Sequence, residues 1–475
     1  MRRRALVAWY DGRGRLLVVD RTLGAGAGAP VVDLPGGEVE PEGREDPRAA
    51  ALRGLLQETG YLLAEGDGGT DPDQRVALRD AFRDGGPEEG RRALATLGLR
   101  WRVAPLLDVG RRVGQAPDGV TLDERLLALP RGSVTPDGGP DADLLAGTTP
   151  RWATPAGLRE AWAGGRVLLT PTLSALLRLG DEPEEGALRL GSPEAPSLLW
   201  EVAPGLWREP FRTPTLPPAT HTNAYLIGAR ELLLVEPGPW DAAEQGRLLR
   251  WVREVEGAGR RVVALVPTHH HRDHVGALGA LAARLDVPVW AHPETASRLP
   301  RGVAVAQTLE EGDVLTLDGP EPARVRCLFT PGHAPGHLCL SDVRSGALLC
   351  GDMVASVGTI LVEPGDGDMG LYLASLERMM AEAPSMLLPA HGMPLLDPAA
   401  VLRRYIAHRL AREAKVAEAL LAHDGPARAA DLLPRAYADT PRTLWPLAAL
   451  STEAHLIKLE RDGRARSGPD GWVKA

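Results

Sequence analysis

The chain has 475 residues, 44% apolar and 25% charged, with a formal net charge of −9. That length predicts about three domains, and the negative balance excludes a protein that coats nucleic acid through bulk electrostatics. No run of about 18 apolar residues occurs, so no membrane-spanning helix is expected, and MRRRALVAWY is too short and too polar for a signal peptide.

In chain order, Ala5–Trp9 and Leu16–Val19 are short apolar strands around the turn Asp11–Gly14. Leu34-Pro35-Gly36-Gly37-Glu38 leads into a helix from about Asp46 to Thr59, with Asp46 as cap, Pro47 in the first turn and Gly60 beyond the end. This loop and helix resemble a Nudix box, in which clustered glutamates hold a Mg²⁺-diphosphate. Arg53 and Glu58 match its core, but Gly54 and Gln57 occupy the two other glutamate places, and the loop upstream is one or two residues out of register. One glutamate is a poor anchor for octahedral Mg²⁺. Residues 1–185 are therefore expected to form a non-catalytic Nudix-like domain, still open to a nucleotide-like ligand. Residues 64–94 read as a mobile insertion, and Asp181–Glu185 with Gly191–Pro196 as the linker.

A central domain is expected over 197–398, opening with strands Thr222–Ile227 and Leu232–Val235. Arg261–Val266 is a short β-branched strand ended by Pro267, and Thr268-His269-His270-His271-Arg272-Asp273-His274 follows, with a helix over Gly276–Leu285. His269 and His271 are two apart, so an extended backbone projects both from one side, while Asp273 and His274 turn towards a second point. Neutral imidazoles with a carboxylate suit Zn²⁺, Fe or Mn. Nine of the twelve histidines lie between His221 and His391. Of the remaining ones, His270 is expected on the opposite face, His337 as a hydrogen-bonding neighbour of a ligand, His292 as a strand-end residue and His221 at the cleft or the surface. Cys327, Cys339 and Cys350 fall in apolar runs and read as buried, reduced thiols of a cytoplasmic protein, with a ligand role for Cys350 a minor alternative. Gly358–Met369 reads as a shaped loop entering a helix from Leu371.

The third domain, 399–475, begins with a helix from about Asp397 to Ala422, followed by a short helix interrupted by Pro434. Thr440-Pro441 is expected to cap a third helix carrying Leu447, Leu450, Ala454 and Ile457, which Gly463 ends before a hairpin over Arg464–Ala475. These are the parts of a winged helix. Residues 401–475 hold 13 Lys+Arg against 9 Asp+Glu, a local excess of +4. Arg461, Arg464, Arg466 and Lys474 are the candidates to meet nucleic-acid phosphate, the alternative being a module that only braces its neighbour.

The pattern His-x-His-x-Asp-His, followed in order by Phe329–His333, Leu348–Asp352 and Leu388–Gly392, resembles the metallo-β-lactamase superfamily. The resemblance implies an α/β fold, an αββα sandwich, with His269, His271 and His333 on one metal, Asp273, His274 and His391 on a second, and Asp352 bridging. It implies two Zn²⁺, with Fe or Mn possible, and Asp273 as proton handler. Glu236 stands where aspartate is usual. Together with Gly365–Met369, the helix segment Tyr405–Arg409 and the tail, residues 198–475 resemble the β-lactamase-like endoribonucleases. That implies cleavage of single-stranded RNA by a hydroxide shared between the metals. The alternatives are a thioester or lactone hydrolase of the glyoxalase II type, acting on a small ester, and a non-enzymatic metal- or nucleotide-responsive nucleic-acid-binding protein.

Overall fold

The computed structural model describes residues 2–11, 13, 15–21, 31–40, 45–66, 71–115, 121–129, 148–179, 199–257 and 259–475. The expected linker stretches Asp181–Glu185 and Gly191–Pro196 lie outside them. The chain divides into two compact units, Met1–Trp207 and Arg208–Ala475.

In the first unit, Arg2–Trp9 pairs antiparallel with Gly36–Glu38 and parallel with Thr121–Leu129, while Leu16–Arg21 lies between Val31–Asp33 and Thr148–Ala153. The helix Pro47–Thr59 starts where the Asp46 side chain accepts from the Arg48 amide and stops at left-handed Gly60. Its Leu52 and Leu55 pack with Val7, Leu17 and Leu127. The stretch expected to be a mobile insertion is instead two helices, Pro72–Asp84 and Gly86–Thr96, the first opened by a reciprocal Asp71–Gln74 cap. Their apolar stripe is narrow: Leu78, Phe82 and Leu94 close onto Leu56, Leu62 and Leu99. The polar composition belongs to the outer faces, and it concealed that stripe.

In the second unit one sheet runs Leu206–Arg212, His221–Gly228, Glu231–Val235, Arg261–Val266, Val289–Ala291, Val305–Thr308 in spatial order. Pairing turns from antiparallel to parallel at Glu231–Val235. A second sheet runs Val314–Leu317, Ala323–Phe329, Leu338–Asp342, Ala347–Gly351, Met386–Pro389. Tyr372, Leu376 and Met379 of the helix Met369–Ala381 cover it, with Val401 and Leu402 of the helix Pro398–Leu421. The far half of that long helix joins a different core, where Val416 and Leu420 meet Leu432, Leu456 and Trp472. One helix thus belongs to both the sandwich and the winged helix. Thr440-Pro441 does not cap the last helix: Pro441 is extended, a 3-10 turn over Arg442–Leu444 follows, and the helix begins at Trp445.

Strands Arg261–Val266, Ala323–Phe329, Ala347–Gly351 and Met386–Pro389 end just before His269, His333, Asp352 and His391. The carboxyl ends of these strands therefore set the location of the site.

Candidate metal centre

Past Pro267 the chain bends at Thr268 and His269, is extended at His271 (φ −63°, ψ 150°) and then enters a single helical turn, Arg272–Val275. The helix expected from Gly276 is shorter, Leu278–Leu285, because the turn carrying Asp273 and His274 comes first. A Cβ on Gly276 would stand 2.4 Å from the Gly238 carbonyl oxygen, so the turn after Glu236 packs directly on the histidine loop. Glu236 itself adopts φ +59°, a strained value for a non-glycine residue, and from there its carboxylate reaches both Thr268 and His274.

Each of five imidazoles is oriented by a partner behind it, and those partners decide its tautomer. The Thr268 hydroxyl donates to Glu236 Oε1, so its oxygen is left to accept from His269 Nδ1–H at 3.0 Å. His271 Nε2–H donates to Asp366 Oδ2 at 2.7 Å. His333 Nδ1–H donates to the Leu361 carbonyl at 2.8 Å, His274 Nδ1–H to Glu236 Oε2 at 2.9 Å, and His391 Nδ1–H to the His221 carbonyl at 2.9 Å. In the neutral rings the other nitrogen of each is then a bare lone pair. Three of these, His269 Nε2, His271 Nδ1 and His333 Nε2, face one another at 3.0–3.2 Å. Three acceptors converging with no donor between them fit a cation, and at this spacing one ion at the ~2.0–2.1 Å zinc–nitrogen distance reaches all three.

Asp273, His274 and His391 form a second convergent group. His391 Nε2 is 3.4 Å from Asp273 Oδ2 and 3.3 Å from Asp352 Oδ1. Asp352 Oδ2 lies 3.5 Å from His333 Nε2 and 3.6 Å from His274 Nε2, so this carboxylate stands between the two groups. Asp352 Oδ1 and His274 Nε2 are buried without a hydrogen-bond partner, the signature of donors arranged for something other than protein. Electrostatics divide the groups. Burial pushes His333 down to about 4 and His269 well below the usual imidazole range. Burial also opposes charge on His391, yet Asp352 and Asp273 raise it to about 10. His274 is held well above its ordinary value against burial by Glu236, Asp273 and Asp352. Against burial, His274 and His391 hold Asp273 at about 2. His269 and His333 are thus held neutral and ready for a cation, while His274 and His391 must release protons to bind one.

The donors open into a cleft of about 240 Å³ whose wall includes Leu216, Pro217, Pro218, Val357, Ile360 and Leu361. His337 accepts from the Asp352 amide at 3.1 Å and meets Thr330 at 2.9 Å, so it fixes the aspartate loop as expected. His292 caps the short helix Pro293–Ala296 and stacks on Phe329. His270 does not face away: its Nε2 lies 3.4 Å from the Asp366 carboxylate that His271 uses. Asp366, read from sequence as part of a shaped loop, is a partner of His271 that the sequence reading missed. Only a 95-residue separation in the chain, closed by folding, brings it to His271. Burial pushes the Cys350 thiol well above its ordinary range, as expected of a buried, reduced cysteine. Arg461 pairs with Asp368, and Arg464 with Glu413 at 3.2 Å. The hairpin pairs Ala465 with Lys474 and Arg466 with Val473, so Arg466 and Lys474 leave opposite faces.

Two sheets whose strand ends gather histidines and aspartates around a cleft define a metal-dependent hydrolase. The chain belongs to the metallo-β-lactamase superfamily. Residues 217–391 match the family described as "Metallo-beta-lactamase superfamily", 429–472 the "Beta-lactamase associated winged helix domain" and 1–90 the "NUDIX domain". It is 30% identical over 256 residues to the Beta-lactamase-like protein 2 homolog of Drosophila melanogaster, covering 52% of this chain and 84% of that one. It is 32% identical over 200 residues to the atrochrysone carboxyl ACP thioesterase of Aspergillus chevalieri, covering 42% of this chain and 60% of that relative. A β-lactamase domain protein from Burkholderia ambifaria shares the fold, with a TM-score of 0.50 at 24% identity over 58% of this chain and 93% of that one. Among the described residues, no helix is long and apolar enough to cross a membrane.

Proposed function

We propose that the second unit is a dinuclear zinc hydrolase of an acyl ester or thioester, with Fe or Mn as the alternative metals. His269, His271 and His333 would hold one ion, Asp273, His274 and His391 the other, and Asp352 both. Bound ions would supply Lewis acidity towards the substrate carbonyl and a water acidified towards neutrality. Asp273 Oδ2, at the cleft floor, is the acceptor for the proton released during attack, and the buried donors exclude bulk water behind it. The observation that carries the substrate reading is the cleft wall. Beyond the donors its charged residues are Arg272 and Glu363, and the rest of the lining is dominated by proline and aliphatic side chains. Such a wall suits an acyl chain, whereas a nucleic acid strand asks for cations along its path. The thioesterase named among the relatives supports the same reading.

The second reading is cleavage of a single-stranded RNA phosphodiester, favoured by the winged helix and its +4 excess of charge over 401–475. Against it, two of the four candidate cations are engaged in ion pairs and the other two diverge. The test is chelation, zinc add-back, and assay of an acyl-N-acetylcysteamine thioester beside a fluorescent single-stranded RNA. Zinc-dependent thioester hydrolysis is expected. RNA cleavage without thioester turnover would establish the second reading instead, and inactivity towards both would overturn both.

A further inference from the structure

The segment from Ile360 to Asp368 sits over the three-histidine group and touches two of its rings from behind. The Leu361 carbonyl takes His333 Nδ1–H at 2.8 Å, and Asp366 Oδ2 takes His271 Nε2–H at 2.7 Å. Neither partner is able to donate, so each forces the proton outward and the lone pair inward. The segment is itself held by the C-terminal helices. Arg409, 4% exposed, donates to the Ile360 carbonyl and lies over the Tyr372 ring at 5.4 Å. Tyr405, one turn earlier, accepts from the Ala355 amide and donates to the Ala355 carbonyl, both at 2.9 Å, and so anchors the chain five residues before the segment. Arg461, from the last helix, pairs with Asp368, whose amide donates to the Gly332 carbonyl at 2.8 Å beside His333. Ile360 and Leu361 also line the cleft.

We infer that residues 360–368 are a strap that sets the tautomers of His271 and His333, with Tyr405, Arg409 and Arg461 of the C-terminal helices as its positioning residues. The inference rests on reading the three-histidine group as a metal site. It makes the C-terminal module part of the metal-binding machinery: a change in where its helices sit alters the geometry of two ligands. Asp366 Oδ1 also lies 3.4 Å from His270 Nε2. Arg298 Nε stands 4.0 Å from the same oxygen.

The test is zinc competition against a chromophoric chelator, with the thermal midpoint of the metal-free protein measured alongside. Asp366→Ala should weaken one of the two zinc equivalents by about 10- to 100-fold, with the metal-free midpoint unchanged. Asp366→Asn, which keeps an acceptor, should recover most of the loss. Arg461→Gln, at an exposed ion pair, should weaken the same equivalent by about two- to fivefold, and Tyr405→Phe should act in the same direction. Wild-type zinc affinity in Asp366→Ala would overturn the strap while leaving the metal reading intact. A lowered metal-free midpoint without rescue by asparagine would replace positioning by a purely structural role. Unchanged affinity in both Arg461→Gln and Tyr405→Phe would overturn the part assigned to the C-terminal helices. A wild-type protein that takes up no zinc would overturn the proposed function itself.

Discussion

In the first unit Arg4 reaches Asp33 at 2.6 Å and Glu124 at 3.0 Å, Arg21 reaches Asp33 at 3.0 Å and also Glu58, and Arg53 reaches Glu45 at 2.8 Å. Hydroxyls of Thr170 and Thr172 complete the pairing of Asp33 and Glu124. In the second unit the buried histidines and aspartates point at one another, and Asp352 Oδ1 and His274 Nε2 have no hydrogen-bond partner. The four groups of residues able to hold an ion, among the described residues, all lie there. Both units carry a motif associated with metal, yet among the described residues only the second gathers three or more donors at one point. Glu58, the surviving Nudix glutamate, also accepts from the Gly36 amide at 2.9 Å, so it is occupied on both oxygens. At position 54 a Cβ would stand 2.2 Å from the Gly36 carbonyl carbon, because helix and strand backbones press together there. No carboxylate fits unless they part. A motif therefore becomes a site only when the fold withholds internal partners from its residues.

The largest expected effect is from Asp352→Ala, which removes the carboxylate between the two groups. Turnover should fall by about 10³-fold or more, and zinc from about two per chain to about one or less. Full zinc with unchanged turnover would break the contrast at its centre. Arg4→Met attacks the other side by leaving Asp33 and Glu124 buried without their shared cation. Chemical denaturation should show the first unit destabilised by about 3–5 kcal/mol, while zinc content stays at the wild-type level. Acid sharpens the same point. Burial raises Asp33, but Arg4 and Arg21 outweigh it and hold it at about 2, below the ordinary 3.8. Its contribution is thus complete above the ordinary value and is lost as pH falls through about 2. That limb, worth roughly 2 kcal/mol, should flatten in Arg4→Met. The smallest effect belongs to Glu58→Gln, which should leave zinc-dependent turnover within about twofold of wild type. Magnesium-dependent hydrolysis of a nucleoside diphosphate derivative by the wild type, lost in this variant, would show that the first unit is an enzyme after all.

Much of the site was legible before folding. Pro267, the i, i+2 spacing of His269 and His271, and the strand-ending motifs at His333, Asp352 and His391 are local features, and local backbone geometry decides which way such residues project. The helix ends at Asp46, Gly60 and Asp397 were legible for the same reason. The helices over 72–96 were not, because a stripe of three apolar residues is too narrow to outweigh polar composition. The tautomer of each imidazole was not legible either. Two of the five partners, the Leu361 and His221 carbonyls, are backbone atoms that every residue carries. Asp366 is 95 residues from His271, and Glu236 is 38 from His274. By itself the sequence determined which side chains can donate to a metal and at which strand ends they stand. The tertiary structure alone decided which of the two motif-bearing units gathers its donors at one point, because pairing of a buried charge depends on what distant chain segments bring within about 3 Å of it.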